Sequence, residues 1–205
     1  VSMEKEIAEI CGGATKVFAD IGAEVTDEIP DFTGVLEAFQ TLRAVLFATM
    51  MEPIMQQHRD KIAPEIVGNI ERGLNITPPQ IFEAERIRIE LFKKILDFFE
   101  THDFLICPAA SIAPFPVDQR YVTEIDGKPC ETYIDWFSIT FALTMTACPT
   151  ISVPCGFTTE GLPVGVQIMG KPRGEAALLL VAKRFEQAIG ISAKLPITPQ
   201  KLKLI

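Results

Sequence analysis

Apolar positions along the first part of the chain recur at helical spacing. Ile7, Ile10, Cys11, Ala14, Val17, Phe18 and Ile21 fall on one face, and Gly22 follows as a C-cap, which predicts an amphipathic helix over 3–21. Gly12 and Gly13 interrupt it, at about 1 kcal/mol each relative to Ala. The pair lacks the pattern of a phosphate-binding loop and reads as a place of close helix packing. Residues 23–29 alternate enough to predict a strand ending at Pro30. The pattern is helical again over 34–60 and 63–74. Thr77, followed by Pro78 and Pro79, then suits an N-cap with prolines in the first turn, opening a helix that runs to about residue 101. Its wide apolar face, including Leu91, Ile95 and Phe99, requires cover from a sheet or another helix.

The second half changes period. Residues 103–108 read as a short buried strand delivering the chain into a Pro-rich loop over 109–118. Asp126-Gly127, between 121–125 and 128–133, predicts a hairpin, because both residues tolerate the positive φ of a two-residue turn matched to strand twist. An apolar stretch over 136–145 reads as helix. Thr150 to Cys155 is rich in β-branched residues and ended by Pro154 and Gly156; Gly161-Leu-Pro163 supplies turn chemistry, and Val164 to Met169 returns as a second strand. Gly165, inside that strand, marks a bulge, tight packing or the approach of a ligand. Residues 175–189 predict a last helix, and those beyond it a surface tail.

Helices and strands in this order give the α/β class, with a mixed sheet flanked by helices. Residues 1–190 form a single α/β unit and 191–205 a C-terminal tail. The 205 residues suffice for one substantial core, and the 48% hydrophobic content argues against disorder. A net charge of −8 with scattered Lys and Arg disfavours nucleic acid as a partner. No apolar stretch approaches the ~20 residues that cross a bilayer, and no secretory leader pattern is visible, so the expectation is a cytoplasmic protein without a membrane partner. Cys11, Cys107, Cys130, Cys148 and Cys155 have no CxxC spacing and read as buried free thiols rather than a disulfide framework or zinc site; neither metal nor cofactor is implied.

Three segments, in order, carry a resemblance. Phe99-Glu-Thr-His-Asp-Phe-Leu-Ile-Cys-Pro108 enters the Pro-rich loop; Cys148-Pro-Thr-Ile-Ser-Val-Pro154 continues to Gly161-Leu-Pro-Val-Gly-Val-Gln167; Gly174-Glu-Ala-Ala-Leu-Leu179 leads to Phe185-Glu186. In these the chain resembles the C-terminal part of an amidase-signature enzyme, an α/β/α layered fold. The resemblance implies hydrolysis of, or transfer from, a carboxamide C–N bond by a nucleophilic Ser, a second Ser and a neutral Lys, with the oxyanion held by backbone amides of a Ser/Gly-rich loop. Here Ser2, Ser111, Ser138, Ser152 and Ser192 are the only serines, none adjacent to another or in a Gly run, so no catalytic residue of the family carries over. Where the family has Asn and Gly ahead of the Ile-Ser-Val-Pro strand, this chain has Thr144 and Ala147.

The family places its substrate funnel beside the Pro-rich loop and the helix preceding that strand. The resemblance therefore points to Cys107, Pro108, Phe115, Trp136, Phe137 and Thr144 as pocket walls, with Trp136 and Phe137 equally readable as core aromatics. His102 and Cys107 lie five residues apart on opposite faces of a strand, roughly 17 Å at ~3.3 Å per residue, which disfavours a Cys-His pair. His58 reads as a surface residue and Ser111 as a turn serine. Carboxylate pairs such as Glu83 with Glu85, or Asp118 with Glu124, read as solvated. The resulting expectation is an amidase part whose complete form takes a small-molecule amide, with an N-terminal amidase segment bearing the triad as partner, inactive by itself and self-associating to cover an exposed apolar face. The alternative is an inactive stand-alone binding or assembly module on the same scaffold. A third reading, a hydrolase dependent on Cys107, is weaker.

Overall fold

The computed structural model describes residues 1–191. Three strands, β1 (Phe104–Pro108), β4 (Thr150–Phe157) and β5 (Pro163–Gly170), form a sheet in the order β1-β5-β4. Both pairings are antiparallel, with Cys107 opposite Gln167 and Ser152 opposite the same Gln167 on the other side. The parallel pairings that a mixed sheet requires are not among the described residues. A second, two-stranded ladder joins β2 (Glu124–Ile125) to β3 (Lys128–Pro129).

Period-2 alternation in β5 assigns its side chains to two layers. Val164, Val166 and Ile168 face α1 (Lys5–Asp20) and α6 (Glu175–Ile189), where they meet Ile7, Cys11, Ala14, Phe18, Leu178, Ala182 and Phe185. The Phe18 and Phe185 rings stack with centroids 4.5 Å apart. On the opposite side Met169 and Leu105 pack against α2 (Val35–His58), α4 (Pro78–Thr101) and α5 (Ser138–Thr144), through Val35, Ala38, Leu91, Ile95, Phe99 and Leu143. This is the helix/sheet/helix layering expected from the sequence. A third cluster, Met55, Val67 and Ile70, joins α2 to α3 (Pro64–Leu74). There α3 crosses so closely that a Cβ on Gly73 would stand 2.0 Å from the Ala44 carbonyl oxygen, which only glycine permits.

Local signals hold at most element ends. Thr77 is the N-cap of α4, its backbone N–H and Oγ1 both donating to Gln80 Oε1, at 2.9 and 2.8 Å. Asp126 and Gly127 have φ of 49° and 73°, the left-handed pair that closes the β2–β3 turn. Gly165 is explained by packing: an added Cβ would lie 3.2 Å from Ser152 Oγ and from the Val153 carbonyl oxygen. The associated bulge falls on β4, where the register steps from Pro154 to Gly156 and leaves Cys155 unmatched.

Several expectations are corrected. Residues 23–29 form no strand and all are exposed; they pair with none of the strands among the described residues. The hairpin arms shrink to two residues each, with one further backbone bond, Cys130 N–H to the Thr123 carbonyl at 2.8 Å, beyond Pro129. The helix predicted from residue 136 begins as a 3-10 turn, Asp135–Phe137, that passes into α5. A Cβ on Gly12 or Gly13 would meet nothing within 4 Å, so close packing does not account for that pair, and nothing in the structure requires glycine there. The expected tail begins with a buried Ile191; its remaining residues lie outside the described ones.

Candidate functional site

The six wall residues divide into two groups and an outlier. Cys107 and Pro108 end β1, with Cys107 on the side of the sheet covered by α2 and α4. Gln167, opposite Cys107 in β5 and only 6% exposed, donates its Nε2 to the Pro108 carbonyl at 3.0 Å and to Cys107 Sγ at 3.8 Å. Burial, which disfavours the charged form, pushes the Cys107 thiol up to about 12, so it is a neutral wall group near pH 7. His102 is occupied elsewhere: it stacks on Phe98 and reaches Thr26 Oγ1 at 3.2 Å and Glu28 Oε2 at 3.6 Å. A Cys107-His102 couple is therefore not assembled.

Phe115, Trp136 and Phe137 form the second group. The Phe115 ring meets Trp136 edge-on at 5.4 Å, Trp136 meets Phe137 at 4.8 Å, and Phe137 meets Phe141 of α5 at 5.8 Å. Phe141 in turn stacks on Phe39 of α2 at 4.2 Å, so the row of rings is anchored in the core while its first three members stay half-buried. Two hydrogen bonds hold the Pro-rich loop against this row. Ser111 N–H donates to the Trp136 carbonyl at 3.2 Å, and Thr140 Oγ1 donates to the Ala109 carbonyl at 2.9 Å. Thr144 stands apart, exposed at the end of α5, with its hydroxyl donating to the Thr140 carbonyl of its own helix at 3.1 Å.

Ser111, read from the sequence as a turn serine, lies in a bend of the Pro-rich loop and is fully buried, with no partner for its Oγ among the described residues. His58 is exposed, and Glu83 and Glu85 pair with Arg86 and Arg88 on the solvent face of α4. A depression of about 600 Å³ beside the N-terminus of α1 borders Phe115 alone of the six. Two of its carboxylates brace the first helix to the loops: Glu4 accepts from Ala113 N–H at 2.8 Å and Glu6 from Thr159 N–H at 2.7 Å. Among the described residues no group of three or more His, Cys, Asp or Glu is arranged to hold a metal ion, and no helix is long and apolar enough to cross a membrane.

A polar cluster beside the aromatic row escaped the sequence reading. Arg43 of α2 donates through Nη2 to the Tyr133 hydroxyl, and Asn69 of α3 donates to the same oxygen at 3.1 Å. The guanidinium lies over the Phe47 ring, Cζ 4.6 Å from its centroid, with the Tyr133 ring at 5.4 Å. Its buried Nη1 has no hydrogen-bond acceptor among the described residues, and the aromatic faces stand in for one. The one signal in sequence was a lone basic residue within the apolar stretch of α2. Tyr133, three residues before Trp136, thus carries two donors on its oxygen and fixes the loop that presents the aromatic row. Thr146, also buried, donates to the Leu143 carbonyl at 2.6 Å where α5 turns into β4. In that turn Ala147 adopts φ 55°, a left-handed conformation that favours glycine.

Comparison with known proteins agrees with this architecture. The amidase family model matches residues 2–179. An acylamidase of Rhodococcus erythropolis is 26% identical over 187 residues, covering 90% of this chain and 39% of that protein. A glutamyl-tRNA(Gln) amidotransferase subunit of Alkaliphilus metalliredigens is 25% identical over 196 residues, covering 90% and 37%. Among solved structures, a bacterial aryl acylamidase of the amidase-signature enzymes superposes with a TM-score of 0.79 at 23% identity, covering 96% of this chain and 44% of that one. The 6-aminohexanoate cyclic dimer hydrolase superposes with a TM-score of 0.81 at 22% identity, with the same coverage. The chain thus spans about two fifths of the length of these relatives. With the family model matched over most of its length and its helix/sheet/helix layers superposing on amidase-signature structures, the chain belongs to the amidase family.

Proposed function

We propose that this chain is the C-terminal part of a cytoplasmic amidase that hydrolyses, or transfers from, a linear carboxamide C–N bond, and that it supplies scaffold and pocket walls rather than the reacting groups. The aromatic row Phe115, Trp136 and Phe137, with Cys107 and Pro108 behind it, forms a wall for a small-molecule amide, and Thr144 stands at its margin. The nucleophile, its base and the oxyanion donors come from an N-terminal amidase segment, because the five serines here have neither the spacing nor the glycine context for them.

The observation that carries this reading is the surface of α2. Apolar residues occur on every side of that helix rather than on one face, and Leu46, Met50 and Ile54, one turn apart, are 54%, 63% and 45% exposed. Phe82 and Ile89 of α4 are exposed as well. A module evolved to stand alone hides such surface, whereas a part of a larger domain presents it to the remainder or self-associates to cover it.

The test is to assay the purified chain for release of ammonia or amine from aliphatic and aryl amides, alone and with a triad-bearing amidase segment supplied in trans. No turnover alone and turnover on mixing is the expected outcome. Turnover by the isolated chain overturns the assignment of the chemistry to another segment, and a monodisperse monomer that neither binds the segment nor gains activity supports the stand-alone module.

A further inference from the structure

Two thiols that the proposed reaction does not use meet across the sheet and its first helix. Cys11, on the inner face of α1, and Cys155, the unmatched residue of the β4 bulge, are 6% and 7% exposed, and their sulfurs are 3.9 Å apart. Ile151, Val153 and Cys155 alternate onto the side of the sheet that α1 covers, and this places the Cys155 side chain facing Cys11. Cys11 Sγ also lies 3.6 Å from the Gly165 carbonyl oxygen, to which its S–H can donate. Cys107 is not a competitor, since it packs with Leu105 against the opposite side of the sheet. Cys130 and Cys148 are likewise free thiols, and neither belongs to the cluster that encloses Cys11 and Cys155.

We propose that Cys11 and Cys155 are an oxidation site, forming a disulfide that fastens α1 to the sheet when the chain meets a peroxide. The steps balance as follows. The Cys11 thiolate attacks one oxygen of hydrogen peroxide; its S–O bond forms as the O–O bond breaks, and hydroxide leaves to take up a proton as water. The Cys155 sulfur then attacks the sulfenic sulfur of Cys11, the S–S bond forms as the S–O bond breaks, and a second water leaves with the Cys155 proton. Two thiols lose two electrons and one peroxide gains them.

Cys11 is the attacking group: with the Cys155 S–H turned toward it across the 3.9 Å contact, its thiolate is stabilised and held below the usual thiol range while Cys155 is pushed up. Forming the bond brings sulfurs now 3.9 Å apart to the ~2.05 Å of a disulfide. The bridge would join residues 144 positions apart, so it would remove a large loop entropy from the unfolded chain. A thiol reductant would reopen it.

The test treats the purified chain with hydrogen peroxide and, in parallel, with dithiothreitol, and maps the products by non-reducing peptide mass spectrometry. The expected result is a mass loss of about 2 Da, a single linked pair of peptides containing Cys11 and Cys155, and a thermal midpoint raised by roughly 5–15 °C over the reduced chain. Cys11→Ser and Cys155→Ser are each expected to lose the linked pair and the shift, and Cys107→Ser to keep both. The mapping of the unaltered chain decides the matter even if a serine variant folds poorly. Peroxide treatment that leaves both thiols reduced, carries Cys11 to sulfinic acid, or links a different pair overturns the proposal.

Discussion

The side of the sheet under α1 and α6 is built on a cluster of hydrocarbon and thiol side chains, whereas buried or half-buried polar groups stand among the apolar residues on the side under α2, α4 and α5. Gln167 reaches across to Pro108, Thr146 folds back on Leu143, and Tyr133 gathers donors from Arg43 and Asn69. Each such group costs desolvation on burial and is retained where its hydrogen bonds fix a geometry. The contrast teaches that one side serves cohesion and the other serves placement: the aromatic row lies where the polar ties are, and the Pro-rich loop is held from both sides, by Thr140 of α5 and by Glu4 beside α1. That the family resemblance nominated residues on this second side follows the same division.

The largest effect is expected from the apolar side. Phe185 is fully buried and stacked on Phe18, so Phe185→Ala should cost about 3–5 kcal/mol in urea unfolding. A loss below about 1 kcal/mol would mean that α6 does not anchor this side, and the contrast between the two sides would fail. On the polar side, Tyr133→Phe removes one oxygen and strands the Arg43 and Asn69 donors, for an expected loss of about 1–3 kcal/mol. The adjacent row should loosen as well, read as a red shift and weaker anisotropy of Trp136, the chain's single tryptophan. Unchanged stability and emission would show that the loop is held by its apolar contacts instead. The smallest effect has the opposite sign. Ala147 holds a left-handed φ of 55°, so Ala147→Gly should raise stability by about 1 kcal/mol, measured as a higher urea midpoint at constant slope. A lower midpoint would show that limiting the unfolded chain outweighs the strain.

Much of the fold was legible because its signals are local. The α4 cap at Thr77, the Asp126-Gly127 turn and the strands around Gly161-Leu-Pro163 each follow from the conformational limits of a few neighbouring residues. The same reasoning misread 23–29, where alternation without a partner edge leaves an exposed segment, and lengthened the hairpin past Pro129. At the candidate site, the resemblance supplied the aromatic residues and the structure linked Phe115, Trp136 and Phe137 into one row, with Thr144 outside it. The Arg43, Asn69 and Tyr133 cluster was illegible because Arg43 and Asn69 stand 90 and 64 residues from Tyr133 in sequence and share no period with it.

By itself the sequence determined the order of helices and strands, the family, and the lack of a Ser/Gly-rich loop, since each resides in residue types and short spacings. Only the tertiary structure decided which side of the sheet each strand residue serves, which helix leaves its apolar surface in solvent, and that Cys11 meets Cys155. Those outcomes depend on register and on how layers pack, and they bring together groups that no local pattern connects.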